Sequence, residues 1–238
     1  RRGLLDRVAG RMSNRPEILF PLFASLEGLP GIGDKVSKLF NALSIEVPRD
    51  LLFLLPQAGV DRRLRETIRQ VTPPETATVE VVVGAHVPPR QRGRPYRIVV
   101  RDSLQEFQLV FFHARADQLQ RQLPTGQRRI VSGRVEVFDG VYQMAHPDHV
   151  LRPQDSGDLP NFEPVYPLTA GLTQKLVRRA VAAALARVPK VTEWIDPALK
   201  RRENWPDWSA ALTQAHAPGS SADLYPEARP AFNVLRDG

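Results

Sequence analysis

The sequence predicts an α+β protein, with a helical segment at each end of the chain and a five-stranded β-barrel between them. Two changes in hydrophobic period carry this prediction. Over residues 16–56 apolar residues recur at helical spacing, whereas over 76–151 the period shortens towards two and β-branched residues dominate. Helical spacing returns over 173–188, after a polar linker. With 238 residues, 42% of them hydrophobic, the chain can bury a core for one to two domains.

The N-terminal helical segment is expected over residues 16–65, after a flexible extension at 1–15. Short helices are punctuated there by glycine and proline, and Gly31 and Gly33 match the turn of a helix-hairpin-helix unit. Glycines at such a turn let backbone N–H groups approach a phosphate. Gly31, Gly33 and Lys35 are therefore candidate phosphate contacts. The alternative is that the two glycines only make a tight turn between helices.

The barrel is predicted over residues 66–153. Its five strands are expected at 79–87, 96–101, 107–112, 130–138 and 141–145, with a hairpin turn at Asp139-Gly140 between the last two. A helical stretch at 114–123 separates the third strand from the fourth. The order β-β-β-α-β-β is typical of a small Greek-key barrel of the OB type. Residues 154–238 then form a linker, a helical segment and a loop-rich tail.

Positive charge is clustered in the barrel region without intervening acids. From Val81 to Arg101 the chain has no Asp or Glu. The cluster consists of Arg90, Arg92, Arg94, Arg97 and Arg101, with Tyr96 among them. Arginine supplies phosphate contacts and aromatic rings supply base stacking, and the formal net charge of +7 favours an anionic partner. The stretch therefore indicates nucleic-acid binding, with Arg128 and Arg129 as the next candidate contacts. The alternative is a solvated basic face.

Two adjacent rings end the third predicted strand. Because neighbouring residues of a strand point to opposite faces, one of Phe111 and Phe112 belongs to the core and only the other is free to stack on a base.

No catalytic residue, metal site or cofactor is predicted within this chain. The sequence lacks the phosphate-binding motif G-x-x-x-x-G-K-[ST], and also G-x-S-x-G and H-E-x-x-H. His146 and His149 stand at ligand-like spacing, but Pro147 lies between them and no third ligand is near, so we expect no zinc. The absence of cysteine excludes disulfides and thiolate catalysis, and fits a reducing cytoplasm. No apolar run is long enough to span a membrane. A binding domain is the favoured class.

Three separated blocks resemble the accessory region of the RecG-type ATP-dependent DNA helicases. The first block runs from Pro21 to Arg63 and includes the glycine turn. The second comprises residues 110–113 and 145–147, where this chain has Val-Phe-Phe-His and Ala-His-Pro. The third, residues 165–175, is close to the family pattern Tyr-Pro-x-Thr-x-Gly-x-x-Gln. The resemblance covers about residues 16 to 190.

The resemblance implies a wedge domain, in which the barrel inserts at a DNA branch point and separates strands at stalled forks and Holliday junctions during recombination and repair. Phe112 is then the ring that caps an unpaired base, flanked by Phe111 and His113. His113 replaces the family's usual Asn, and Ala116 stands where some members carry a second stacking aromatic. Tyr96 could substitute for that ring, or it could belong to the core or the barrel rim.

The resemblance also places a helicase motor, with its ATP and Mg²⁺, after Gly238. We therefore expect a fragment that binds branched DNA without hydrolysing nucleotide, as a monomer in the bacterial cytoplasm in association with the nucleoid. A single-stranded-DNA-binding protein is a further expected partner, and no membrane is. The alternatives are an OB-fold protein-interaction module and an RNA-binding module.

Overall fold

The computed structural model describes residues 16–91, 93–224 and 234–235, so the predicted extension at 1–15 lies outside the described residues. The chain divides into two compact units. Unit 1 comprises the described residues of Arg1–Ala58, Pro164–His216 and Ala222–Gly238, and unit 2 comprises Gly59–Glu163 and Ala217–Ser221. The helical segments from the two ends of the chain thus form one unit, whereas the sequence had suggested separate regions.

The elements are numbered in chain order. The α-helices are α1 (Asp34–Asn41), α2 (Pro48–Leu52), α3 (Ala116–Gln122), α4 (Gln174–Leu185), α5 (Pro197–Glu203) and α6 (Trp208–His216). The strands are β1 (Ala58–Asp61), β2 (Leu64–Arg65), β3 (Thr76–Val87), β4 (Tyr96–Arg101), β5 (Glu106–Phe111), β6 (Arg128–Phe138), β7 (Val141–Ala145), β8 (His149–Leu151) and β9 (Phe162–Val165). Short 3-10 helices lie at Glu17–Leu22, Leu26–Gly28, Ile68–Gln70, Pro153–Asp158 and Ser221–Leu224. Among the helices described, none combines the length and the hydropathy that crossing a bilayer would require.

Unit 1 has one hydrophobic core to which both ends of the chain contribute. The buried residues of α4 recur at a spacing of three and four, which gives this helix one apolar face. Thr173 begins the helix by accepting a hydrogen bond from the N–H of Leu176. The core around α4 contains Leu22, Leu26, Leu29, Ile32, Phe40, Ile45, Leu51, Leu52, Tyr166, Leu172, Val177, Ala180, Val181, Ala184 and Leu212. The short N-terminal helices pack against α4 because their own apolar residues are too few to enclose a core.

A network of side-chain hydrogen bonds fixes the turn before α4. The Gln174 side chain accepts from the N–H of Tyr166 at 3.0 Å and donates to its carbonyl oxygen at 2.7 Å. The Tyr166 hydroxyl donates to Nδ1 of His216 at 3.0 Å, and Nε2 of His216 donates to the carbonyl oxygen of Leu52 at 2.9 Å. Burial raises the pKa of Tyr166 above its ordinary value, so the hydroxyl stays protonated as the donor. The third sequence block therefore has a structural role in this unit.

Unit 2 contains a mixed sheet in which strands pair in the order β2-β3-β4-β5-β7-β6-β8, and β3 pairs in addition with β6. The β5–β7 pair is parallel, whereas the β3–β4, β4–β5, β6–β7 and β3–β6 pairs are antiparallel. Buried residues alternate along β4, and α3 contributes Leu119 to the same core. The turn at Asp139-Gly140 has positive φ at both residues, as a tight hairpin requires.

The five long strands of unit 2 lie where the sequence predicts them, with ends that shift by up to three residues. The strands β1, β2, β8 and β9 were not predicted. Each has only two to four residues. Such lengths are too short to display a period of two.

A buried carboxylate organises the connection between β4 and β5. Asp102 is 7% exposed and accepts hydrogen bonds from the Thr67 hydroxyl and from the N–H groups of Ile68, Leu104 and Gln105, at 2.8 to 2.9 Å. Burial alone would raise the pKa of this carboxyl, but the four hydrogen bonds outweigh burial and hold its pKa below the ordinary value. The charged form is therefore the one that the fold stabilises.

We expect Asp102→Asn to lower the free energy of unfolding by about 1.5–3 kcal/mol near neutral pH, because an amide cannot satisfy four converging donors. Since the folded pKa is depressed, the contribution of Asp102 is fully present above its unfolded pKa of about 3.9 and is lost as the pH falls through the folded value. Urea unfolding of both proteins from about pH 3 to 7 should show their difference shrinking below about pH 4. A difference that does not vary with pH would refute this role. The exposed Asp117, changed to Asn, is the control.

Arg62 lies at the centre of a second buried polar network. Its guanidinium donates to Oε2 of Glu163 at 2.8 and 3.1 Å, and to Oγ of Ser132 at 3.0 Å. The same group pairs with Asp148 at 2.8 Å, and His149 Nε2 lies 3.0 Å from Oε1 of Glu163. Arg62 is only 5% exposed. It therefore links the start of the Gly59–Glu163 stretch of unit 2 to its end.

Candidate nucleic-acid interface

The two rings at the end of β5 point in opposite directions. Phe111 is 8% exposed and belongs to the core of unit 2, whereas Phe112, the next residue, is 46% exposed. Phe111 pairs across the sheet with Tyr96, which is also buried. The outward ring at this end of the strand is thus Phe112, while little of Phe111 is exposed.

The chain turns sharply after Phe112. His113 adopts a left-handed backbone conformation with a φ of 56°, a region that β-branched residues avoid and in which Asn, Asp and His are enriched. This accounts for an Asn or a His at this position, because the requirement lies in the backbone. His113 is exposed beside Phe112.

A shallow groove of about 220 Å³ brings the ring and the arginine-rich loop together. It is lined by Pro89, Gln91, Gly93, Arg94, Tyr96, Phe111, Phe112, His113 and Ala114. Arg97 lies on the outward face of β4, opposite Val110, two residues before Phe112. Within the part of the chain that the structure describes, no carboxylate forms an ion pair with Arg90, Arg94 or Arg97. These guanidinium groups are therefore available to an external anion.

Three further predicted cations, Arg101, Arg128 and Arg129, have partners within the protein. Arg101 lies 3.9 Å from Glu106 and Arg128 lies 2.9 Å from Glu80, and both line a different groove of unit 2. Arg129 donates to the carbonyl oxygens of Gln122 and Arg128. Their charges are thus partly satisfied without nucleic acid. Arg92 lies outside the described residues.

Tyr96 requires a correction. It is 5% exposed, and its hydroxyl lies 3.1 Å from Nδ1 of His86. The inward phase of β4 buries the ring opposite Phe111, so Tyr96 cannot substitute for a second stacking aromatic. Ala116 is exposed at the start of α3 and offers no ring either.

The glycine turn of unit 1 differs from a helix-hairpin-helix unit. Only a three-residue 3-10 helix precedes it, and α1 follows it directly. Gly31 has a φ of 78°, and the guanidinium of Arg179 lies so close that a β-carbon at this position would overlap it. The positive φ alone favours glycine at position 31, because the Arg179 side chain is flexible and could move away from a β-carbon. Lys35 is exposed on α1, next to Gly33, which begins the helix without a capping side chain.

His146 is the residue of this surface that sequence reasoning missed. Its Nε2 accepts a hydrogen bond from the N–H of Phe112 at 3.0 Å. The two rings are stacked, with centroids 5.7 Å apart and an angle of 29° between the planes. His149 contacts Glu163 instead, so the two histidines of the His-Pro-Asp-His stretch serve different parts of unit 2. Among the described residues, no cluster of three metal-ligating side chains occurs.

The family model of the RecG wedge domain matches residues 28–188, which is most of the chain. The chain belongs to the RecG wedge domain family. The matched range includes the glycine turn, the whole sheet of unit 2 and the Tyr166–Gln174 turn. The surface around Phe112 therefore lies within the part that defines the RecG wedge family.

Curated relatives agree with this assignment. The chain is 24% identical over 240 residues to the ATP-dependent DNA helicase RecG of Synechocystis, an alignment that covers 89% of this chain and 28% of that protein. It is 30% identical over 169 residues to RecG of Escherichia coli O127:H6, covering 67% of this chain and 23% of that protein. The chain thus spans about a quarter of the length of the relatives it matches.

A solved structure supports the fold. The structure of RecG bound to a three-way DNA junction aligns with a TM-score of 0.71 and 21% identity, covering 84% of this chain and 28% of that one. At this identity the match establishes a shared fold.

Proposed function

We propose that this chain binds branched DNA as the wedge region of a RecG-type helicase, and that it separates strands at the branch point. One observation carries the proposal: an exposed ring, Phe112, stands at the end of β5 in one groove with a cationic loop. Membership of the RecG wedge family and the junction bound to a relative support DNA as the ligand.

The pairing of β3 to β7 supports a five-stranded OB-type barrel as the body of the wedge. Because β3 pairs with both β4 and β6, the sequence of pairings β3-β4-β5-β7-β6 returns to its first strand. Closing a sheet removes its unpaired edges and fixes the strands rigidly. A rigid barrel can transmit force to a branch point without deforming.

The two chemical elements of the groove have separate tasks in this mechanism. The guanidinium groups of Arg94, which lines the groove, and of Arg97, on β4, hold phosphates of any sequence, because the backbone charge does not depend on the bases. The ring of Phe112 stacks on a base that has lost its neighbour at the branch, which contributes about 1–3 kcal/mol without sequence preference. Together they recognise the shape of a branch and not its sequence.

The glycine turn and Lys35 are proposed as a secondary phosphate contact in unit 1. The guanidinium of Arg179, seated against Gly31, adds a second positive charge to the exposed Lys35. Because Gly31 is already explained by its turn, this contact rests on charge alone. Lys35→Gln, measured in the binding assays below, tests this proposed phosphate contact.

ATP and Mg²⁺ are proposed only for the full-length helicase. This sequence contains no phosphate-binding loop of the G-x-x-x-x-G-K-[ST] type, so its residues do not fit the nucleotide. The organisms of the curated relatives are bacteria, which supports a place of action on chromosomal DNA in the bacterial cytoplasm.

Competition among forked DNA, linear duplex and RNA of equal length tests the proposal. We expect the fork to be the strongest competitor, effective at the lowest concentration of the three, because only the fork offers an unstacked base beside two duplex arms. Equal competition by RNA would favour an RNA-binding module. Weak binding of all three, together with binding of a single-stranded-DNA-binding protein, would favour a protein-interaction module.

We expect the loop arginines, which are Arg90 and Arg94 in the loop and Arg97 at the start of β4, to account for most of the salt dependence. Replacing Arg90, Arg94 and Arg97 together by Ala should reduce the slope of log affinity against log salt by about 2–3, at about 0.9 per phosphate contact on duplex. The matched control removes the same charge from Arg63, Arg121 and Arg152, each of which pairs with an Asp in the protein. If both triple variants lower the slope equally, only net charge matters and the loop is not the contact surface.

A further inference from the structure

His146 contacts Phe112 through both its nitrogen and its ring. Besides accepting from the Phe112 N–H and stacking on its ring, His146 meets the edge of Phe111, with centroids 5.9 Å apart and an angle of 81° between the planes. One imidazole thus touches the buried ring and the exposed ring at the same time. It ties the orientation of the exposed ring to the core.

The position of His146 is itself tightly fixed. Its own N–H donates to the carbonyl oxygen of Val110 at 2.8 Å, which extends the pairing between β5 and β7. Its backbone is left-handed, with a φ of 45°. The next residue, Pro147, approaches Gly133 so closely that a β-carbon there would lie 3.1 Å from the Pro147 α-carbon. His146 therefore approaches Phe112 from a rigid segment.

We propose that His146 is a positioning residue that leaves Phe112 only one free face. A ring that intercalates inside a duplex needs a base on each of its faces, whereas a ring that caps the last base of a stack needs only one. With an imidazole stacked in an offset position against one face, Phe112 offers its other face to a base at a branch, and insertion between two stacked pairs would have to displace His146. His146 thereby sets the preference for a branch over the interior of a duplex. This inference rests on the proposed stacking role of Phe112.

The hydrogen bond gives His146 a second effect. By holding the Phe112 backbone before DNA arrives, it reduces the freedom that the ring loses on binding. Fixing one side chain in this way corresponds to about a two- to tenfold gain in affinity. The two contributions of His146, its hydrogen-bond acceptor and its ring, can be separated by mutation. At this position Gln provides an acceptor without a ring, and Phe provides a ring without an acceptor.

A double-mutant cycle between His146 and Phe112 tests the proposal, with forked and linear DNA as ligands. We expect His146→Ala to weaken fork binding about two- to tenfold and to lower the ratio of fork to duplex affinity. In a Phe112→Ala background the same change should have no effect on either quantity. His146→Phe should keep the affinity ratio, and His146→Gln should recover part of the fork affinity. Gln118→Ala, at an exposed residue of α3 that does not line the groove, is the control.

The outcomes separate this inference from the proposed function. If Phe112→Ala leaves fork binding unchanged, the stacking function is wrong and there is nothing for His146 to position. If Phe112→Ala weakens fork binding but His146→Ala has no effect, or has an equal effect in both backgrounds, stacking stands and the positioning role is overturned. Loss of amide-exchange protection throughout β3 to β7 in His146→Ala would indicate a general structural role. In that case His146→Phe, if its protection is intact, tests the positioning role through its ratio of fork to duplex affinity.

Discussion

Arg62→Ala is expected to destabilise unit 2 by about 3–5 kcal/mol, because it leaves a buried carboxylate without its cation. Glu163 has a side chain only 4% exposed and receives two of the guanidinium hydrogen bonds. Ser132 Oγ loses a donor as well, although it keeps its hydrogen bond with Thr78 at 2.6 Å. Urea unfolding followed by far-ultraviolet circular dichroism measures the loss.

The tryptophans of this chain provide an internal control. Trp194, Trp205 and Trp208 all lie in unit 1, so their fluorescence reports that unit separately from the sheet of unit 2. Arg62→Ala should lower the amide-exchange protection of β3 to β7, whereas the unfolding transition seen by tryptophan fluorescence should change less. Arg63→Ala, which removes an exposed neighbour paired with Asp61, should have a much smaller effect.

A double substitution separates burial of charge from loss of packing. Arg62→Met combined with Glu163→Leu removes both charges and keeps apolar volume, so it should recover part of the stability lost in Arg62→Ala. If the double variant is as unstable as the single one, the hydrogen bonds to Ser132 and to His149 matter more than the ion pair. A loss in Arg62→Ala no larger than in Arg63→Ala would contradict the network altogether.

The long strands of the sheet were predictable because β-branched and aromatic residues are frequent in them and glycine, proline and polar residues separate them. The turn at Asp139-Gly140 was predictable for a local reason, since a two-residue hairpin needs positive φ at both positions. The alternation of side chains along a strand predicted that only one of two adjacent rings at its end is exposed. Local geometry alone decides each of these features.

The Arg62 network and the contact between Phe112 and His146 could not be predicted, because the partners are distant in sequence. Arg62 and Glu163 are 101 residues apart, and Phe112 and His146 are 34 apart. A charged residue such as Arg62 resembles a surface residue until its partner is known. Likewise, the acid-free run from Val81 to Arg101 did not reveal that Arg101 pairs with Glu106 across the hairpin. Composition gives the charge of a segment but not which charges remain free.

The third sequence block shows how a family motif can be structural. Gln174 closes the turn around the backbone of Tyr166, and Gly171, with a φ of 91°, approaches Leu39 so closely that a β-carbon there would lie 3.0 Å from it. The motif is thus explained by contacts within unit 1. It identifies the family without contributing to the proposed interface, which lies in unit 2.

The second large effect concerns the two rings at the end of β5. Phe111→Ala is expected to lower the free energy of unfolding by about 3–5 kcal/mol, because it removes a large side chain from the core beside Tyr96 and His146. Phe112→Ala is expected to leave stability nearly unchanged and to weaken binding to forked or four-way DNA by about 1–3 kcal/mol, the value of one base stack. Each variant is measured for both properties, by urea unfolding and by titration with fork and linear duplex.

Opposite losses in the two variants are the result that supports a wedge, because they separate the ring that holds the barrel from the ring that meets DNA. Phe112→Leu refines the experiment, since it keeps apolar volume but removes the flat face that stacking requires. Fork affinity should therefore fall in Phe112→Leu almost as far as in Phe112→Ala. If Leu restores full affinity, the contact is hydrophobic and not a stack. If neither Phe111→Ala nor Phe112→Ala alters the preference for a fork over duplex, the branch is recognised elsewhere, and the loop arginines alone would bind DNA of any shape.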